Sequence, residues 1–165
     1  MAPRVEPDEA VFVEQIRIAT AQYIGALAGI SRADALRRPS DASNPVIWIA
    51  GHLVYFRSRL AGTLGDRQDF PWGSRFATGS RVENAESYPE LQEFRRIWLE
   101  LDAVLRQRIA TYTADMLAAA PQVRMASADG TLGGALTTFA FHEVYHIGQL
   151  GYLRKWLGYS PLFEG

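Results

Sequence analysis

The sequence predicts an all-α protein built on four long helices, and three observations carry that expectation. Apolar residues recur at three- and four-residue steps over long segments. Gly, Pro and capping residues punctuate the ends of those segments. Alternation of the β kind is confined to one short stretch, residues 122–126. At 165 residues the chain suits a single domain, 1–165, large enough to build a core without disulfides or a structural metal.

The first helix is expected over residues 7–27, where Phe12, Ile16, Tyr23 or Ile24, and Leu27 share one side, and Gly29 and Ser31 end it. The second opens at Asn44 and Pro45, one suited to capping and the other to the first helical position, and runs to about Leu64 before Gly65. Residues 66–86 then turn to Gly, Pro, Ser, Asp and Asn and read as a long crossover loop; a loop of that length is often functional. Ser87 and Glu90 have the spacing of a capping box, with Pro89 in the first turn. From there Leu91, Phe94, Trp98, Leu101, Leu105, Ile109 and Tyr112 form the stripe a bundle helix buries. A short helix fits residues 113–120 before Pro121. The last long helix spans residues 132–157 and is stopped by Gly158 and Pro161.

Composition excludes several function classes. The formal net charge is −1 and the pI about 6.3, without the basic balance of a nucleic-acid binder. Arginine supplies the positive charge almost alone, Lys155 being the sole lysine, and Arg95 and Arg96 interleave with Glu90, Glu93, Glu100 and Asp102 as a solvated helix face would. No apolar run approaches the roughly 18 residues of a membrane span, and the start Met1-Ala2-Pro3-Arg4-Val5-Glu6 lacks the apolar core of a signal peptide, so a cytoplasmic protein is expected. The absence of cysteine removes thiolate ligands, a cysteine nucleophile and disulfides together. Any thiol in the chemistry must come from outside.

Chemistry-bearing residues are concentrated in the three histidines. His142 and His146 stand four residues apart on the last long helix, a rise of roughly 6 Å along one face. That face also carries Ala135, Thr138, Phe139, Tyr145, Gln149 and Leu153 and is expected to turn inward. His52 lies on the second helix among Trp48, Ile49, Tyr55, Phe56 and Arg59. Alone, an inward histidine reads as a hydrogen-bonded core residue. Two adjacent imidazoles in an apolar interior need partners for their ring nitrogens, and a bound cation supplies them.

The segments from Asn44 to Tyr55 and from Phe141 to Leu150, with the helix order and the long second crossover, resemble the DinB-like (DinB/YfiT) superfamily of metal-binding four-helix bundles over nearly the whole chain. The resemblance implies an up-down-down-up bundle, often a homodimer, in which His52, His142 and His146 bind a divalent metal. Three neutral ligands would leave at least one coordination position open, as in catalytic rather than structural zinc. Family members of known activity are mainly transferases or isomerases that use a low-molecular-weight thiol such as glutathione, mycothiol or bacillithiol.

The string His142-Glu143-x-x-His146 is also the zincin signature. Those peptidases need a third ligand downstream, and only Glu164 is available there, in a chain without strands to line a peptide cleft. Glu143 points about 100° away from His142 and reads as an exposed carboxylate, or one that supports a metal ligand, rather than a catalytic base.

The expected function is therefore a metal-dependent, thiol-using S-transferase or detoxifying enzyme acting on a small molecule, with no nucleic-acid or membrane partner. Zinc or nickel stands ahead of iron or manganese, since imidazole serves several of these ions. Tyr55, Arg59, Tyr145 and Gln149, one or two turns from a ligand, are candidates for the substrate pocket. The tyrosines read equally well as core aromatics, Arg59 as a surface residue, and Trp72 as either a pocket cap or a loop anchor. A non-catalytic metal-binding or stress-linked dimeric bundle, and a purely structural histidine cluster, remain the alternatives.

Overall fold

The structure is a computed structural model that describes residues 8–162. The expected helix start at Pro7, the N-terminal segment 1–6 and Glu164 lie outside the described residues. Within them the chain is all-helical, with four long helices and two short ones. These are α1 (Glu9–Leu27), α2 (Arg32–Leu36), α3 (Val46–Thr63), α4 (Leu91–Ile109), α5 (Ala114–Ala118) and α6 (Leu132–Trp156). The stretch 122–126 forms no strand. A lone extended segment finds no neighbour here to pair with.

Local chemistry explains the boundaries. The Asp8 carboxylate accepts from the Ala10 amide at 2.8 Å and caps α1. Ser31, expected only to end α1, instead caps α2 by accepting from the Asp34 amide. Pro45 occupies the cap position before α3, so the helix begins at Val46 and Asn44 does not cap it. The capping box of Ser87 and Glu90 does not form. Ser87 sits in a 3-10 turn, Ala85–Ser87, and its hydroxyl donates to the Asn84 carbonyl at 2.8 Å, so α4 starts only at Leu91. Gly65 and Gly158 follow their helices with φ of 94° and 89°, the left-handed geometry of a helix-ending glycine.

Helix α1 packs against α4 and α6, and α3 packs against the same pair. Helix α4 buries Leu91, Phe94, Trp98, Leu101, Leu105 and Ile109, as its periodicity requires. Helix α6 departs from expectation. It buries Leu132, Ala135, Leu136, Glu143, Ile147, Leu150 and Leu153, while Tyr145 is 56% exposed. The face presented to the core is turned by one residue, about 100°, from the expected one that carries His142, Tyr145 and Gln149. Apolar residues occur on every side of α6, so spacing gives no phase; a buried partner for Glu143 does.

The long connection at residues 64–90 has only two 3-10 turns, Gly73–Phe76 and Ala85–Ser87, to satisfy its carbonyls, and the last part of it also relies on side chains. Two arginines take that role. The Arg32 guanidinium donates to the carbonyls of Ala85, Glu86, Tyr88 and Pro89, and Arg75 donates to those of Glu83 and Asn84. Aromatic rings fasten the loop to α4: Trp72 stacks on Phe70 at 4.7 Å and meets Phe94 edge-on at 5.2 Å. Trp72 is thus the loop's anchor. Phe76, fully buried, lies directly over Gly51 of α3, where an added Cβ would come within 2.4 Å of its ring.

Replacing Gly51 with alanine should therefore lower the urea midpoint by the equivalent of about 1–3 kcal/mol through overpacking. Gly62→Ala, whose methyl would meet nothing closer than 3.6 Å, should be neutral or stabilising. Equal midpoints for the two variants would show that the loop does not bear on α3 at Gly51.

Candidate metal centre

The three histidines converge between α3 and α6. His52 is 4% exposed; His142 and His146 are half-buried. One ring nitrogen from each lies within 4.8 Å of the others, and the Nε2 atoms of His52 and His142 are 3.1 Å apart. Ligand nitrogens in a tetrahedral site with bonds of about 2.0–2.1 Å sit roughly 3.3 Å from one another, so small ring rotations would bring all three to one ion.

The far nitrogens of His52 and His146 fix this arrangement. His52 Nδ1 lies 2.7 Å from the Phe76 carbonyl oxygen, which can only accept, so Nδ1 carries the proton and the Nε2 lone pair faces the cluster. His146 Nδ1 lies 2.7 Å from Gln149 Oε1 and donates to it in the same way. Gln149 in turn donates to the Tyr145 hydroxyl at 3.3 Å. Outer contacts of this kind orient metal-ligating imidazoles. His142 Nδ1 is buried without a partner among the described residues. Trp48 stacks on the His52 ring at 4.8 Å, and Phe56 packs on both His52 and His142, at 4.7 and 4.5 Å.

Burial pushes the His52 imidazolium down to about 4, against the opposing pull of the Phe76 carbonyl and helped by repulsion from His146. Burial lowers His142 to about 4 as well, with repulsion from His146 and His52 adding to it; His146 is lowered by burial and partly restored by Gln149. At neutral pH all three imidazoles are uncharged, the form that ligates a metal. The donor set therefore fits a divalent ion, and the cluster could hold one.

Glu143, next to His142, is neither exposed nor directed at an imidazole ligand. It is 1% exposed and takes a two-pronged contact from fully buried Arg57, Nε to Oε1 and Nη2 to Oε2, both 2.7 Å. Arg57 Nη1 donates to the Thr20 hydroxyl at 2.7 Å, Thr20 donates to Asp102 at 2.8 Å, and Arg106 closes the chain on the other Asp102 oxygen. Asp102, expected on a solvated face, is thus buried inside a network. The Arg57 guanidinium also lies 3.3 Å from the centre of the Trp98 ring, which stacks on Tyr23. With both Glu143 oxygens held by Arg57, the zincin role of this glutamate as a base has no geometric support.

The other candidates are dispersed. Tyr55 and Arg59 line a cleft on the α3 surface, Tyr145 stands edge-on to His146 at 5.0 Å and half-exposed, and Gln149 holds His146. Sequence reasoning passed over Arg57 and Phe76. Arg57 could have been found from its place on the most apolar line of α3, with Leu53, Val54, Leu60 and Ala61.

Fold and cluster together define an all-helical protein with a three-imidazole site suited to a divalent metal. Residues 15–150 match the family described as the DinB superfamily, and the chain belongs to it. Among curated proteins there is no match to this chain. No helix of the described residues is long and apolar enough to cross a membrane.

The ion pair makes a sharp energetic expectation. Arg57→Met or Glu143→Leu alone leaves an unpaired buried charge and should cost about 3–5 kcal/mol by urea denaturation, whereas the double variant should cost less than either single one. A double variant as destabilised as the sum of the two would show that the contact contributes no coupling.

Proposed function

We propose that the protein holds one divalent ion on His52, His142 and His146 and uses it in a reaction that joins a low-molecular-weight thiol to a small electrophile. The observation that carries the metal half of this reading is the convergence of three neutral imidazole nitrogens, with the far edges of His52 and His146 held by Phe76 and Gln149. The thiol half rests on the resemblance alone; the chain has no cysteine, so any thiol is supplied from outside. A bound ion would supply Lewis acidity and a lowered pKa for a coordinated thiol or water. The chain's own contribution is a fixed set of three donors, a low-polarity wall from Trp48 and Phe56, and Tyr145 and Gln149 beside His146, within reach of a substrate. Zinc or nickel fits this donor set first, then iron or manganese.

The course of the bundle is inferred to be up-down-down-up. Supporting it are the pairs Thr20 with Asp102 and Tyr23 with Trp98, which set α1 antiparallel to α4, and Arg57 with Glu143 and His52 with His146, which set α3 antiparallel to α6, together with Phe12 beside Leu136 and Arg154 on the Ala26 carbonyl, which set α6 parallel to α1. A homodimer is part of the same proposal. Phe141 and Val144, 73 and 64% exposed on α6, line an apolar groove against α1 that includes Ile18, a continuous face that a second copy could cover. A non-catalytic metal-holding role is the competing reading, and Phe56, packed over two of the three imidazoles, speaks for it.

Elemental analysis of tag-free protein should find one divalent ion per chain, lost in His142→Ala; equal metal in both would end the proposed site. Metal-loaded protein assayed with several cellular thiols and electrophiles should then show saturable turnover that His142→Ala abolishes, and full metal content without turnover would favour the holding role. Sedimentation should give a dimer that Val144→Glu converts to monomer, and a monomeric wild-type chain would remove the dimer from the account.

A further inference from the structure

A cleft of about 410 Å³ opens between the second half of α3, the start of the crossover and the segment after α5. Its walls carry three guanidinium groups, Arg59, Arg67 and Arg124, against one carboxylate, Asp69. That carboxylate is already engaged, accepting from Arg67 Nε at 2.8 Å. Arg59 and Arg124 form no ion pair among the described residues. The whole chain carries a net charge of −1, so this is a local excess of positive charge, assembled from three separate segments of sequence.

The cleft is also partly apolar. Tyr55 and Phe70 line it, and an added Cβ on Gly73 would sit 3.4 Å from the Tyr55 ring, so the loop backbone lies close against that tyrosine. Guanidinium groups present paired N–H donors that match the two oxygens of a carboxylate or phosphate, and like charges facing one cleft are stabilised by an anion placed among them. We propose that this cleft binds a small organic oxyanion, its carboxylate or phosphate engaged by Arg59 and Arg124 and its apolar body against Tyr55 and Phe70. The Tyr55 ring packs on Phe56 at 5.5 Å and Phe56 packs on His142, so two aromatic rings stand between the cleft and the imidazole cluster. The proposal stands whether or not the imidazoles hold an ion.

The test is an NMR titration of the full chain with phenyl phosphate and, separately, benzoate, following the amides of Gly62, Gly73 and Ser74. Saturable shifts at these amides with at least one anion are expected, and the tighter of the two identifies the oxyanion. Arg59→Gln and Arg124→Gln should each weaken binding by about tenfold, while Arg96→Gln, on an exposed pair of α4, should leave it unchanged. Affinity should fall as salt is raised. His142→Ala should bind as wild type does, so a failure of the metal reading would not mimic a failure of this one. Shifts that do not saturate at millimolar anion, affinities unchanged in Arg59→Gln and Arg124→Gln, or binding lost in His142→Ala would each overturn the assignment.

Discussion

The two-pronged contact between Arg57 and Glu143 governs the arrangement of the remaining helices. Both residues are sealed from water, at 0 and 1% exposure, and burying such charges is costly unless geometry and hydrogen bonding are complete. Here they are: both carboxylate oxygens are met, the remaining Arg57 edge reaches Thr20, and Thr20 passes the chain to Asp102 and Arg106. One network thereby ties α1, α3, α4 and α6 together. Its main consequence is rotational. With Glu143 pinned inward, α6 must place His142 and His146 toward the flank of α3 that carries His52, at the edge of the core. A turn of one residue would send both imidazoles into the centre and leave Glu143 in solvent.

The crossover loop completes what the ion pair begins. His52 needs an acceptor for Nδ1–H if its other nitrogen is to face the cluster, and the helix that bears it offers none. The acceptor comes from the Phe76 carbonyl, carried in by a loop whose last carbonyls, from Glu83 to Pro89, are held by Arg32 and Arg75. Gly51, the residue before His52, lets the Phe76 ring lie close against α3. A glycine in a helix interior costs about 1 kcal/mol relative to alanine, and close approach of the loop is the compensation.

Much of this was legible in the sequence because helical periodicity is a local signal. The stripe of α4 from Leu91 to Ile109 reads directly, as do the glycine stops and the three histidines as a group. The phase of α6 was not legible, because its apolar residues lie on every side and the deciding interaction is with Arg57, distant in sequence. The signal available was a pair of opposite charges on apolar lines: Arg57 in register with Leu53, Val54, Leu60 and Ala61, and Glu143 in register with Leu136, Ile147 and Leu150. The capping box at Ser87 misled for a related reason, since a nearby turn carbonyl competes for the same hydroxyl. Short α2 was missed because Ser31 serves equally as a stop and as a cap.

Three imidazoles from two helices, held in phase by a buried ion pair, are proposed to hold one metal ion that accepts an outside ligand. The most direct measurement is X-ray absorption at the metal edge of protein loaded with one equivalent of zinc. Three imidazole nitrogens at about 2.0–2.1 Å, seen by their outer-ring scattering, are expected together with at least one oxygen ligand that an added thiol replaces with sulfur at about 2.3 Å. A spectrum with oxygen neighbours only and no imidazole scattering would contradict it.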